Sequence, residues 1–285
     1  MEGIRGQQFI DFIAEILGYA LAQEDIDRVL SQKAISLYEN AFTSKEYNPV
    51  NNYEMFEQLG DISVNKFIVY YMYGRFPQFE NPGGVDIIAK LRIKYASKEQ
   101  LQRIAGRMGM FAYISASEDE KHSKRKALLE DVFESFIGAT EYIIDTMIYE
   151  TMHCGDLPVR LSLYHKNNQY IGVGYNVVFR ILQHLFDQID IKLDYKSLVD
   201  AKTRLNELKS EYRDLEIRYE TVKLDDNSFV TTIWKDKPLP KHQIGRGTGL
   251  LKKDSEEKAA EVALNTLAKK YNMIKVIPDR YKGFF

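Results

Sequence analysis

Two stretches of the chain bring carboxylates together at helical spacing. In Tyr53-Glu-Met-Phe-Glu-Gln-Leu-Gly-Asp61, Glu57 and Asp61 stand four residues apart, so a helix places both on one face, with Glu54 one turn earlier. Like charges at that spacing repel one another. Further along, Leu129-Glu-Asp-Val-Phe-Glu-Ser-Phe-Ile-Gly-Ala139 repeats the arrangement with Asp131 and Glu134 at a spacing of three, in a run that is otherwise strongly apolar. Four carboxylates from two packed helices would make a concentrated negative pocket. A hard divalent cation such as Mg2+ relieves that repulsion through oxygen ligands. A single pair of this kind is usually a solvated or ion-paired helix face. Two pairs in apolar surroundings leave both readings open on spacing alone.

The remaining chemistry-bearing residues narrow the choice. Cys154 is the single cysteine, so the chain closes no internal disulfide and forms no multi-cysteine zinc site; it suits a reducing compartment and a metal held mainly by oxygen. His153, Cys154 and His165 fall at irregular spacing, a pattern that more often means nothing than zinc. The glycines of Gly245-Arg-Gly247-Thr-Gly249 are not a dinucleotide fingerprint, because no βαβ unit surrounds them.

The elements that must carry these residues change character near residue 190. Before it the apolar residues recur at helical spacing: Phe9, Phe12, Ile13, Ile16, Leu17; then Phe56, Leu59, Ile62, Phe67, Ile68; then Leu128, Leu129, Val132, Phe133, Phe136, Ile137. This predicts a helical bundle, broken at Asn81-Pro82-Gly83-Gly84, at the charged run Ser117 to Lys126 and at Gly155 to Pro158. After Leu193 the pattern predicts a polar helix over 198–213 and strands through Ile217-Tyr219-Thr221 and Phe229-Thr231-Ile233. A short strand at Ile244 then leads into a glycine-rich turn, and a helix follows from Lys252 to Tyr271. Charge divides the same way: residues 192–285 hold 20 Lys+Arg against 15 Asp+Glu, and residues 1–191 hold 19 against 26. An acidic front suits cations and a basic back suits polyanions. With 45% hydrophobic and 28% charged residues the chain is not disordered over most of its length. It has no apolar run of about 18 residues, and Glu2, Arg5 and Asp11 stand where a secretory signal would be apolar. The expected setting is cytoplasmic, with no membrane, and the host-cell cytoplasm if the source is viral.

Glu54-Met-Phe-Glu57-Gln-Leu-Gly-Asp61 resembles the signature of the ribonuclease III family, and Asp131-Val-Phe-Glu134-Ser-Phe-Ile-Gly-Ala resembles its second acidic motif. Tyr73-Gly-Arg-Phe-Pro77, Ile88-Ala-Lys-Leu-Arg92 and Ser97-Lys-Glu-Gln-Leu support the match. The resemblance implies that Glu57, Asp61, Asp131 and Glu134 are catalytic and bind metal: Mg2+, with Mn2+ as a substitute. Two such ions would promote in-line attack of water on a phosphodiester, leaving a 5′ phosphate and a 3′ hydroxyl. A further family acid follows the Arg-Phe-Pro stretch, where Asp86 is the nearest candidate. Gln58 departs from the family, which usually has a bulky apolar residue there that enters the partner subunit. Ser44 stands where many relatives have histidine, and about 146–170 resembles an insertion.

Asp200 to Leu208 resembles the opening helix of the double-stranded RNA-binding domain that follows the nuclease in this family, and Lys252 to Leu264 resembles its closing helix. Such a module reads A-form shape, with one helix on minor-groove 2′-hydroxyls and a lysine-tipped helix N-terminus on phosphates. The resemblance assigns Thr203, Asn206 and Glu207 to the first contact and Lys252 with Lys253 to the second, with His242 a lesser candidate. Leu224-Asp-Asp-Asn-Ser228 is acidic where relatives often carry Gly-Pro-His, and Leu251 replaces a usual serine.

The implied fold is an all-α ribonuclease III endonuclease domain over 1–190, then an α+β (α-β-β-β-α) double-stranded RNA-binding domain over 196–273 and a tail over 274–285. The implied activity is a homodimeric, Mg2+-dependent endoribonuclease acting on double-stranded RNA. The alternative is a catalytically silent RNA-binding or structural pseudo-nuclease, a class that usually lacks one or more of the four acids retained here.

Overall fold

Phe9, Phe12, Ile13, Ile16 and Leu17 are all buried on one face of α1 (Gln7–Leu17), so the apolar period does there what it predicts. In the computed structural model, which describes residues 1–152, 172–238, 240–274 and 277, with the backbone alone for 147–152, the chain divides into two units, Met1–Asp190 and Ile191–Phe285. Most of 146–170, including His153, Cys154, His165 and the break at 155–158, lies outside the described residues, as does most of 274–285.

The first unit continues through α2 (Gln23–Val29), α3 (Gln32–Ala41), α4 (Glu54–Arg75), α5 (Val85–Tyr95), α6 (Lys98–Arg107), α7 (Glu118–Ser123), α8 (Arg125–Met152) and α9 (Val173–Asp187). Serines fix several starts: Ser31 and Ser97 accept from the backbone amides of Ala34 and Gln100. The charged run from Ser117, expected as a break, is largely the short helix α7. Ser117 and Glu120 form a reciprocal capping box there, and Glu120 also accepts from Ser44, so the acid is buried with its partners supplied.

α4 and α8 are the most extensively packed pair of helices. Phe56, Val64, Phe67 and Ile68 of one and Val132, Phe133, Phe136 and Ile137 of the other are all buried in the core of the bundle, each such side chain contributing about 1.5–3 kcal/mol of apolar burial. Their backbones approach so closely that only glycine fits. A Cβ on Gly60 would overlap the Glu134 carbonyl, and one on Gly138 would overlap the Phe56 carbonyl and lie 2.8 Å from the Gly60 nitrogen. Both contacts place Gly60 opposite Gly138, and the hydrogen bonds from Tyr53 to Asp131 and from Ser63 to Glu141 pair ascending with ascending numbers, so the helices run in the same direction at the crossing. Ile62, part of the apolar period of α4, is instead exposed.

In the second unit α10 (Tyr195–Leu198) and α11 (Ala201–Glu211) replace the single helix expected over 198–213. Asp200 causes the division: its carboxylate accepts from the amide of Thr203 and starts a new helix. Strands β1 (Glu216–Lys223), β2 (Phe229–Lys237) and β3 (His242–Gly249) form an antiparallel sheet in the order β1-β2-β3, and α12 (Lys252–Tyr271) closes the unit. Leu205, Leu208, Ile233, Ile244 and Leu267 fill the core between sheet and helices. Gly245, Gly247 and Gly249 lie within β3 and not in a turn after it. A Cβ on Gly245 would strike the Ala259 carbonyl of α12, and one on Gly247 the Ala259 nitrogen, so the strand lies directly against that helix. The expected class holds: an all-α region followed by α-β-β-β-α of double-stranded RNA-binding type. No helix among the described residues is long and apolar enough to cross a membrane.

Candidate active site

The glycine crossing determines what the adjacent acids can do. Gly60 directly precedes Asp61, and Gly138 lies one turn after Glu134, so the carboxylates leave the two helices beside their closest approach. Asp61 is exposed, Glu57 and Asp131 are half-buried, and Glu134 is 7% exposed. Burial, then repulsion from Asp131, Glu54 and Glu130, raises Glu57 from 4.5 to about 7. Burial, then repulsion from Asp61, Glu130 and Glu57, raises Glu134 to about 8. Asp131 is also pushed up, mainly by burial. The repulsion expected within the Glu57/Asp61 pair is thus exceeded by repulsion between helices: Glu57 feels Asp131 first among charges, and Glu134 feels Asp61 first.

Neutral groups hold the acids in place. The Tyr53 hydroxyl donates to Asp131 Oδ2 at 3.1 Å. Asn65 Nδ2 donates to Asp61 Oδ1 at 2.8 Å, and Asn65 Oδ1 accepts from Arg92 at 3.0 Å, so Arg92 of α5 steadies Asp61 through one amide. Glu54 is drawn to the exposed side by Lys45, at 2.8 Å. Asp86 is exposed in the first turn of α5.

The sequence reading missed Glu130 and Lys98. Glu130, next to Asp131, is 4% exposed, and its Oε1 accepts from Lys98 Nζ at 2.7 Å. A charged residue in an apolar stretch of α8 was the available signal for Glu130. Nothing in spacing points to Lys98, which reaches the acids from the first turn of α6.

All donors here are carboxylate oxygens, and burial together with repulsion raises Glu57 and Glu134, which is the environment a hard divalent cation relieves. In their present orientation no three acid, histidine or cysteine side chains among the described residues meet at one point.

In the second unit, Thr203 and Asn206 are exposed on α11, although the Thr203 hydroxyl already donates to Asp200 at 2.7 Å. Glu207 accepts from the Tyr195 hydroxyl, and His242 is exposed at the start of β3. Lys252 and Lys253 are exposed in the first turn of α12, whose N-cap, Leu251, offers no side-chain acceptor. Helices α11 and α12 are tied together: Glu257 accepts from the amides of Ala201 and Lys202, and Arg204 pairs with Glu261 at 2.6 Å. Burial would raise Asp200, but donors from Thr203 and the charge of Lys253 lower it, so Lys253 acts on the start of α11.

A family model, "Ribonuclease III domain", matches residues 54–142. A protein named "Putative ribonuclease 3" from Invertebrate iridescent virus 6 is 48% identical over 286 residues, covering 99% of this chain and 94% of its own. Another so named, from Frog virus 3 (isolate Goorha), is 33% identical over 238 residues, covering 81% of this chain and 56% of its own. Among solved structures, the nuclease domain of ribonuclease III from Campylobacter jejuni is similar at 19% identity, covering 63% of this chain and 96% of that one, with a TM-score of 0.41.

Proposed function

The chain belongs to the ribonuclease III family, and from that premise we propose that it is a Mg2+-dependent endoribonuclease that hydrolyses double-stranded RNA to 5′-phosphate and 3′-hydroxyl ends. In this reading 1–190 is the nuclease domain, 196–273 the double-stranded RNA-binding domain and 274–285 a tail. The observation that carries it is the electrostatic coupling of Glu57, Asp61, Asp131 and Glu134 across the glycine crossing of α4 and α8.

Those four acids would hold the metal, Mg2+ or in its place Mn2+. When bound, the metal supplies an activated water and stabilises the leaving 3′ oxygen. The protein's own contribution is placement. Tyr53 holds Asp131 by one oxygen, and Asn65, backed by Arg92, holds Asp61. Burial of Glu134 and of the neighbouring apolar residues of α8 keeps water from that side of the cluster.

Capture of the duplex falls to the second domain. Lys252 and Lys253 neutralise phosphate charge next to uncapped amides at the start of a 20-residue helix. Thr203, Asn206 and Glu207 meet 2′-hydroxyls, and His242 lies at the margin of the contact. The ties from Glu257 and Arg204 keep the two helices at a fixed separation, which suits recognition by shape.

The active form is a homodimer, because cutting both strands in one encounter takes two symmetry-related acid clusters. Met55, Gln58 and Ile62 share an exposed face of α4, and this apolar pair around Gln58 supports the reading.

The test is incubation of the full chain with a long RNA duplex, with and without Mg2+, followed by analysis of the product ends. Cleavage only with Mg2+, lost in Glu134→Gln and Asp61→Asn while duplex binding persists, is the expected result. Binding without cleavage in the unaltered protein would favour the silent duplex-binding alternative. Light scattering that reports only monomer, together with single-strand nicking, would remove the dimer.

A further inference from the structure

Glu130, next to Asp131 in the chain, is almost completely buried, at 4% exposure. Its two oxygens are in different situations. Oε1 accepts from Lys98 Nζ at 2.7 Å, whereas Oε2 is buried and has no hydrogen-bond partner. A buried carboxylate oxygen left unpaired is costly, since its desolvation goes uncompensated. A purely structural ion pair would gain nothing from such an oxygen. The charge relations show what lies near this side chain: Glu130 repels both Glu57 and Glu134, and is itself repelled by Asp131 and Asp61. Lys98 belongs to the same neighbourhood, drawn by Asp131 and Glu134 as well as by Glu130. Glu130 therefore lies beside the four acids, anchored at one oxygen by a lysine from a different helix and without a hydrogen-bond partner at the other.

We propose that Glu130 is a fifth carboxylate of the metal site, presenting Oε2 as an additional oxygen ligand to a divalent cation, and that Lys98 is the positioning residue that holds Oε1. This rests on the metal-site reading of Glu57, Asp61, Asp131 and Glu134. It assigns a function to the orphaned oxygen, and to the placement of a lysine beside acids that must attract a cation. Lys98 acts through Glu130 by fixing the direction of its carboxylate, as groups behind a metal ligand commonly do.

The experiment is a titration of the full chain with Mn2+ alone, without RNA, followed by calorimetry or by electron paramagnetic resonance of free Mn2+. Glu130→Gln preserves shape and an acceptor for Lys98 but removes the charged ligand, and is expected to weaken Mn2+ binding roughly 10-fold or more. Lys98→Gln is expected to change Mn2+ affinity in the parent protein but by less than about twofold in the Glu130→Gln background, because it acts through that residue. Circular dichroism checks the fold. Should Glu130→Gln not fold, Glu130→Asp, which keeps the charge but shortens the reach by one methylene, replaces it with the same expected loss.

Glu134→Gln separates the two readings. If it weakens Mn2+ binding while the Glu130 variant binds as the parent does, the fifth ligand is refuted and the site stands. If Mn2+ binding is absent, or indifferent to Glu134→Gln, the metal site fails and this inference with it. A Lys98→Gln effect that persists undiminished without the Glu130 carboxylate would refute the positioning role.

Discussion

Replacing Glu134 by glutamine should stabilise the metal-free protein, and the gain should depend on pH in a way that packing cannot imitate. Glu134 rises from 4.5 to about 8 through burial and the repulsion of Asp61, Glu130 and Glu57. The folded state therefore binds this proton more tightly than the unfolded chain does. The stability contributed by the protonated carboxyl is complete below about pH 4.5 and is lost as the pH rises through about 8. At about 1.4 kcal/mol per pKa unit, ionising Glu134 in the fold costs at most about 5 kcal/mol; water access and relaxation of neighbouring acids bring the expected figure to about 2 kcal/mol. Glutamine carries no charge to ionise. In chelator, Glu134→Gln should melt close to the parent near pH 5 and about 4–8 °C above it near pH 9. Far-UV circular dichroism follows the helical first unit, while fluorescence of Trp234, the single tryptophan, follows the second and should not move. Mg2+ should narrow the gap at high pH by stabilising the parent alone. A difference in melting temperature that is the same at both pH values would refute the reasoning.

Because protons on Glu57 and Glu134, at about 7 and about 8, compete with metal, the Mg2+ concentration needed for half-maximal cleavage should fall as pH rises through that range, as a pH series of Mg2+ titrations will register. Lys252→Ala with Lys253→Ala should weaken duplex RNA binding similarly across unrelated sequences and reduce the slope of log K against log salt by about two at most; an unchanged slope in isotherms over a salt series would mean these lysines meet no phosphate. Gly60→Ala forces α4 and α8 apart at the Glu134 carbonyl and should cost about 3 kcal/mol or prevent folding, measured by denaturant unfolding; a cost under about 0.5 kcal/mol would refute the close crossing.

Much of this was legible in the sequence, for identifiable reasons. The period of Phe9 to Leu17 and the apolar run of Leu128 to Ile137 locate α1 and α8, because α1 buries one stripe against the bundle and α8 is buried on nearly every side. Where local side-chain chemistry overrode the period, the reading failed. Asp200 caps α11 and divides a helix that periodicity alone would run together, and the Ser117/Glu120 box turns a charged break into α7. The three glycines before α12 have a spacing of two, which is a strand period, yet glycine's usual role in turns pointed the other way. Their reason is the close approach of α12, through Ala259 at Gly245 and Gly247 and through Asp254 and Ser255 at Gly249, which no local pattern discloses. The bonds that occupy Thr203 and Glu207 were equally invisible, since Tyr195 reaches Glu207 from α10.

The acid cluster illustrates most clearly what spacing can and cannot convey. Four residues between Glu57 and Asp61 establish that they share a helix face, but not what that face meets. The answer lies in the glycines of the same motifs. Gly60 and Gly138 let two helix backbones come into contact, and at so close a crossing long side chains beside the contact cannot remain between the helices; they emerge at its edge, where those of both helices face one another. Motif acid and motif glycine are thus one device: the glycine sets the distance at which the acids of α4 and α8 repel, and burial, with that repulsion added to it, is what raises Glu57 and Glu134. The strain is local and is supported by an apolar core on the far side of the same helices. An acid can therefore be removed at a gain in stability, while the glycine that brings the acids together cannot be changed without a loss.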